Sequence, residues 1–304
     1  MEKKKIIAVV GPTASGKTGL AIELAKRLSG EIVSCDSMQI YKDIPIASAV
    51  ATAEEKAAVP HHLIEFLEPD ESFSVAEYVE MANKCIDSII AAGKLPILCG
   101  GTGLYYSSLL DNISFDVQPG CTELRQKLKA ELETNSPEYM HSKLWEVDME
   151  AAEKLAVSDT RRVIRALELY YASGLTSAER NKLSKSCPSP FEAVCIGLDF
   201  ADRQKLYQRI EQRIDIMVQN GLVEEAEQRY RKSGGAAQAI GHKEFFPYFA
   251  GEISLDEAIQ SLKISTRHYA KRQLTWFRRD ERINWIKVDE TKDVVSAALE
   301  IIEK

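Results

Sequence analysis

Short, continuous apolar runs alternate along this chain with longer stretches whose apolar residues recur at helical spacing. Residues 5–10, 31–35 and 95–99 are runs of the first kind, each leading into glycine or small polar residues. Runs that are apolar on both faces mark strands buried in a parallel sheet. Residues 18–28 place Leu20, Ala21, Leu24, Ala25 and Leu28 on one helical face, and 75–92 repeat that spacing. The alternation predicts a doubly wound α/β sheet. The pattern changes after about Asn112. Residues 121–173 read as helix almost throughout, broken once at Pro137, and 184–190 as a Ser/Pro linker. Strand pattern returns over 192–200, followed by helices over 203–219, 224–232 and 254–278 and a last strand over 283–288. The expected architecture is a discontinuous α/β core (1–115 and 191–304), its parallel sheet flanked by helices, with an all-helical insertion at 116–190.

Composition adds limits. With 304 residues, 45% of them apolar and 28% charged, the chain has ample material for a buried core. No run of about 18 apolar residues occurs, so no membrane span is expected. The apolar start is too short for a signal peptide and leads directly into a glycine loop, so a cytoplasmic location is expected. The six cysteines form no CxxC and no Cys/His cluster, which indicates free thiols and no zinc site. His61 and His62 lack clustered partners, so no metal role is expected of them. The net charge of −7 excludes an evenly basic surface, yet positive charge gathers locally over 160–185 and 261–287. Those stretches are either solvated helix faces or contacts for a polyanion.

Between the first strand and first helix lies Gly11-Pro12-Thr13-Ala14-Ser15-Gly16-Lys17-Thr18, which fits GxxxxGK[ST]. In that setting successive backbone N–H groups and a helix N-terminus cradle phosphate. Lys17 adds a full positive charge, and Thr18 offers a hydroxyl to Mg²⁺. The expected fold is therefore a P-loop NTPase-like α/β core. The motif alone does not name a reaction. No apolar strand ends in a Walker B aspartate, and no NKxD guanine-reading motif occurs.

Asp36 follows the second strand, and Gly100-Gly101-Thr102-Gly103 follows the third. Functional groups collect at the carboxyl ends of parallel strands. On position alone Asp36 is a metal ligand through water, a proton acceptor or a turn aspartate. The glycines either admit a ligand close to the backbone or make a tight turn.

Taken together, GPTASGKT, DSMQIY (36–41) and GGTGLY (100–105), in this order, resemble the tRNA dimethylallyltransferases (tRNA isopentenyltransferases). PHHLI (60–64), RRVIRALE (161–168), RIDIM (213–217), QAIG (238–241), Lys243-Glu244, Thr266-Arg267 and AKRQLTWF (270–277) extend the resemblance over about residues 6–287. His242, Met38 and Thr160 depart from the family's usual residues. The chain lacks the zinc-finger extension of eukaryotic members and resembles the bacterial form.

The resemblance implies transfer of a dimethylallyl group from dimethylallyl diphosphate to the exocyclic N6 amine of the adenosine 3′-adjacent to the anticodon in tRNA. It makes the P-loop the holder of a diphosphate leaving group, with Mg²⁺. It assigns Arg213 to the same phosphates, Thr102 to the bridging oxygen or the attacking amine, and Asp36 to the amine's proton. It places tRNA against Asp36, Ser37, Met38, Gln39 and Thr102, and against Arg125, Arg161, Arg162, Val163, Ile164 and Arg165. The target base is expected to flip out of the anticodon stem-loop. Trp276 and Phe277 are RNA contacts or helix core. A monomer without membrane contact is expected. The alternatives are an adenylate isopentenyltransferase, which needs no RNA grip, a small-molecule P-loop kinase, and a nucleotide-gated binding module without catalysis.

Overall fold

The structure, a computed structural model, describes residues 3–115, 121–232, 234–236 and 239–304. In chain order its elements are β1 (Lys4–Val10), α1 (Lys17–Leu28), β2 (Gly30–Ser34), α2 (Pro45–Ser48), α3 (Ala53–Ala58), β3 (His61–His62), α4 (Val75–Ala91), β4 (Leu95–Gly100) and α5 (Gly103–Leu110). Five helices follow: α6 (Thr122–Thr134), α7 (Pro137–Val147), α8 (Met149–Lys154), α9 (Thr160–Ser173) and α10 (Ser177–Ser184). Then come β5 (Phe191–Asp199), α11 (Arg203–Gln219), α12 (Leu222–Arg229), α13 (Phe246–Phe249), α14 (Leu255–Phe277), β6 (Ile283–Lys287) and α15 (Val294–Ile302). The chain divides into two compact units, Met1–Leu110 with Pro190–Lys304, and Asp111–Ser189.

In the first unit the six strands form one parallel sheet in the order β3-β2-β4-β1-β5-β6. This is the expected P-loop NTPase-like α/β core. The central strand β1 is buried from Ile6 to Val10; Ile7 and Val9 pack in one core with residues of α1 and α15, and α4 packs on the neighbouring strands β2 and β4. Tyr78 of α4 is fully buried, donates to the Ser34 carbonyl at 3.1 Å and stacks on Tyr105 at 4.0 Å. A pair of this kind contributes about 1 kcal/mol beyond its buried area. Helices α4 and α14 begin with reciprocal capping boxes, Ser74 with Glu77 and Ser254 with Glu257. Each cap stabilises its helix start by about 1 kcal/mol.

The second unit is all-helical, as expected, but more finely divided. Pro137 starts α7 behind the Ser136 cap, and two further breaks come from aspartates. Asp148 accepts from the Ala151 amide to start α8, and Asp159 caps α9. Ser184 ends α10 and does not belong to a linker. The core of this unit is built from Leu128, Met140, Leu144, Val163 and Leu167.

All six cysteines are free thiols. Among the described residues no helix is long and apolar enough to cross a membrane.

Candidate active site

The sheet brings three loops to one edge of the first unit: the P-loop after β1, the Asp36 loop after β2, and the Gly100–Gly103 loop after β4. The strands that deliver them are neighbours, with Val10 opposite Gly100 and Ser34 opposite Cys99. Gly16 must be glycine, because it starts α1 at φ +93°.

Two cavities flank the P-loop. One of about 310 Å³ is lined by Thr13, Lys17, Thr18, Asp36, Ser37, Met38, Gln39 and Arg213, and by apolar Ile210, Ile214, Met217 and Leu262. A larger one, about 730 Å³, shares Lys17, Thr18 and Arg213 and adds Gly16, Arg209 and the α2–α3 segment. The anion cradle and the carboxylate therefore face one space.

Electrostatics agree with that placement. Burial raises the Asp36 pKa above the usual carboxylate value, opposed by the Met38 amide, Lys17, the Gln39 amide and Arg213. The Met38 amide donates to Asp36 Oδ1 at 2.9 Å. Burial lowers the pKa of Lys17, and Arg213 lowers it further, while Cys99 and Asp36 act the other way. Arg213 is likewise lowered by burial and held up by Asp36. Lys17 Nζ rests 3.3 Å from the Pro12 carbonyl, a contact that a phosphate can replace.

Thr102 is joined to the Asp36 loop directly. Its Oγ1 accepts from the Ser37 amide at 2.9 Å and donates to Ser37 Oγ at 3.3 Å. Its own amide donates to the Cys35 carbonyl at 3.1 Å. Tyr269, on α14, borders the smaller cavity, and burial pushes its hydroxyl pKa well up.

Gln273 is the residue the motifs did not single out. It is buried, accepts from the P-loop amide of Thr13 at 2.8 Å and donates to the Gly101 carbonyl at 3.0 Å. One side chain thus ties the P-loop to the Thr102 loop. The fit is tight: a β-carbon on Gly101 would lie 2.2 Å from Gln273 Nε2. In the sequence Gln273 is one polar position on a basic helix, and its only signal is its place in the 270–277 motif.

Other expectations change. Gln39, which the resemblance places against tRNA, lines the smaller cavity, and its side-chain amide is bonded to Ser34 Oγ at 2.8 Å and to the Ala49 carbonyl at 3.2 Å. The basic stretch 261–287 is largely neutralised within the unit. Lys263 pairs with Asp215, Arg267 with Glu211, Arg278 and Lys287 with Asp199, and Arg282 with Asp280. Phe277 is core, whereas Trp276 is 38% exposed and donates to Ser107 Oγ at 3.0 Å. His242, the family departure, is fully buried against Glu225, which also holds the amides of Ile46 and Ala47. Gln238 lies outside the described residues. His62 bonds to Glu31 and His61 to the Val59 carbonyl.

The remaining expected tRNA residues lie on the second unit. Arg125 and Arg165 share the buried carboxylate of Glu168, and Arg161 and Arg162 are exposed at the start of α9. Val163 and Ile164 are 0% and 6% exposed, packed in that unit's core. Their side chains cannot make the expected RNA contact, because helical spacing turns them inward while the arginines face out.

Among the described residues no three His, Cys, Asp or Glu side chains gather into a metal-binding cluster. A divalent ion here would draw most of its ligands from phosphate and water, as Mg²⁺ does, and the Thr18 hydroxyl on the cavity wall fits as a protein ligand.

This fold and this site define a P-loop α/β protein with Lys17, Arg213 and a half-buried carboxylate on the wall of one cavity. Residues 39–280 match the family model described as IPP transferase. The chain is 48% identical over 289 residues to a tRNA dimethylallyltransferase of Acetivibrio thermocellus, spanning 94% of this chain and 92% of that one. It is similar to the crystal structure of a tRNA isopentenylpyrophosphate transferase from Bacillus halodurans, at 41% identity, TM-score 0.73, and 99% and 95% coverage. It is also similar to a eukaryotic dimethylallyltransferase captured acting on tRNA, at 29% identity, TM-score 0.83, and 98% and 78% coverage. The chain belongs to the IPP transferase family, and it is a transferase.

Proposed function

We infer that this enzyme transfers a dimethylallyl group from dimethylallyl diphosphate to the N6 amine of the adenosine 3′-adjacent to the anticodon in tRNA, releasing diphosphate. The observation that carries this reading is the single cavity lined by Lys17, Arg213 and Asp36, with Thr102 bonded to its Asp36 wall.

Breaking an allylic C–O bond builds negative charge on the departing diphosphate and positive charge on the allyl carbon. Lys17, Arg213 and the P-loop amides stabilise the first, and most effectively where water is excluded. When bound, Mg²⁺ neutralises further charge on the leaving group, with Thr18 as its ligand from the chain. The apolar wall of Ile210, Ile214, Met217 and Leu262 suits the five-carbon tail. Asp36 accepts the amine proton as the new C–N bond forms, and its raised pKa makes it a stronger base than a solvated aspartate. Thr102 orients the amine or the bridging oxygen. Ser37 and Met38 line the same wall and meet the flipped base. The exposed Arg161 and Arg162, with Arg125 and Arg165, offer the RNA backbone positive charge. The reading carries with it a monomer working in the cytoplasm.

Nucleoside mass spectrometry of tRNA incubated with the enzyme, dimethylallyl diphosphate and Mg²⁺ tests it. A single dimethylallyl mass gain on adenosine is expected. Phosphate transfer from ATP without any gain on adenosine would overturn it in favour of a kinase, and prenylation of free AMP alone would point to an adenylate enzyme.

A further inference from the structure

The chemistry above makes no use of a second guanidinium on α11, one turn before Arg213. Residues four apart lie on the same helix face, about 6 Å from each other along the axis. Their settings differ. Arg213 borders both cavities and senses the charge of Asp36. Arg209 borders only the larger cavity and is exposed. It is nevertheless held in place: Nε donates to the Ala14 carbonyl at 2.9 Å, and the guanidinium carbon lies 5.8 Å from the Phe200 ring centre. With Nε fixed, Nη2 lies 3.8 Å from where a β-carbon on Gly16 would stand, over the mouth of the P-loop. Among the described residues that Nε bond is the one hydrogen bond Arg209 donates, which leaves both Nη groups for a ligand.

We propose that Arg209 is a substrate-binding residue that grips the outer, terminal phosphate of the allylic diphosphate, while Arg213 takes the phosphate next to the breaking bond. A planar guanidinium fork matches tetrahedral phosphate through two parallel N–H bonds, and a lysine ammonium does not. The inference rests on the reading of the P-loop as a diphosphate site. It also predicts how the two arginines differ. The outer phosphate is held alike before and during bond cleavage, so Arg209 acts on binding and not on the chemical step. The inner phosphate gains charge as the bond breaks, so Arg213 acts on turnover.

The test is titration calorimetry with inorganic diphosphate and Mg²⁺ on the wild-type chain, Arg209→Gln and Arg209→Lys, alongside KM and kcat for dimethylallyl diphosphate and thermal unfolding. Arg209→Gln should weaken diphosphate about tenfold, the low end for a charge-assisted bond at an exposed site, and raise KM with kcat within about twofold. Arg209→Lys should recover part of that loss. Arg213→Gln should instead lower kcat. Unchanged diphosphate affinity in Arg209→Gln overturns the proposal. So does a loss confined to kcat and thermal stability, which would make Arg209 a prop for Ala14. A wild-type chain that binds no diphosphate would sink the P-loop reading along with it.

Discussion

Replacing Gln273 with alanine removes two hydrogen bonds at once, the 2.8 Å bond from the Thr13 amide and the 3.0 Å bond to the Gly101 carbonyl. A buried polar group left unpaired costs about 1–3 kcal/mol. Thr13 is half-buried, so water reaches the freed amide, which puts the sum nearer 2–3 kcal/mol. For a unit of this size that corresponds to a Tm loss of about 5–10 °C. The larger consequence is geometric. Without the strut the phosphate loop and the Thr102 loop lose their shared register, and a misplacement of about 1 Å can cost about 10²-fold in rate. Single-turnover transfer to tRNA at saturating dimethylallyl diphosphate should therefore slow by about 10- to 100-fold in Gln273→Ala, with tRNA affinity unchanged. Gln273→Glu should be no better: it keeps an acceptor for Thr13 but sets a carboxylate oxygen against the Gly101 carbonyl. A Tm loss with an unaltered transfer rate would refute the reasoning, because the two loops would then hold their positions without α14.

Three other outcomes follow from the electrostatics. Since burial raises the pKa of Asp36 and the ionised form is the base, kcat/KM should climb with pH along an acid limb centred above the roughly 3.9 of a free aspartate; a flat profile through that range would exclude Asp36 as the base. The same shift has a stability sign. A carboxyl whose folded pKa lies above its unfolded value favours folding most at low pH and loses that benefit as pH rises through the folded value, so Asp36→Asn should unfold at a higher temperature than wild type at neutral pH. Asp199 is the opposite case. Its burial would raise the pKa, but Lys287, Arg278 and the Phe200 amide outweigh burial and hold it low. Its contribution is present above the unfolded value and disappears as pH falls through the folded one. Asp199→Asn should cost about 1–3 kcal/mol in denaturant unfolding at pH 7, with the difference from wild type vanishing in acid.

The edge of the sheet that carries the candidate site was legible because each of its loops follows an unbroken apolar strand. Lys17, Asp36 and Thr102 could be placed on one sheet edge from that rule alone, and β1, β4 and β5 begin or end within a residue or so of where the pattern predicts. Short elements were not legible. β3 is two residues long, and α2 and α3 are only four and six residues, their starts fixed by the distant Glu225 and the local Thr52 and not by periodicity. α15 does carry an amphipathic pattern, with Ser296 and Glu300 four apart on one face, but at nine residues it is short and follows the last strand closely. Helix α12 starts at Leu222, two residues before its predicted start, because Gly221 takes a left-handed turn there. The ion pairing of the basic run over 261–287 was not legible for a physical reason: its partners Asp199, Glu211 and Asp215 are 48 to 88 residues away in sequence and meet it only on folding. Gln273 and Arg209 were hidden in the same way. A polar residue on an amphipathic helix looks solvated until the loop it holds is seen beside it.

The most direct measurement is the single-turnover rate of Asp36→Asn, taken together with its affinity for tRNA. If Asp36 receives the proton from the adenine amine, transfer falls by about 10²- to 10⁴-fold while tRNA binds as tightly as before. An equal loss of tRNA affinity with no separate defect in the chemical step would mean that Asp36 grips the RNA and that the proton leaves by another route.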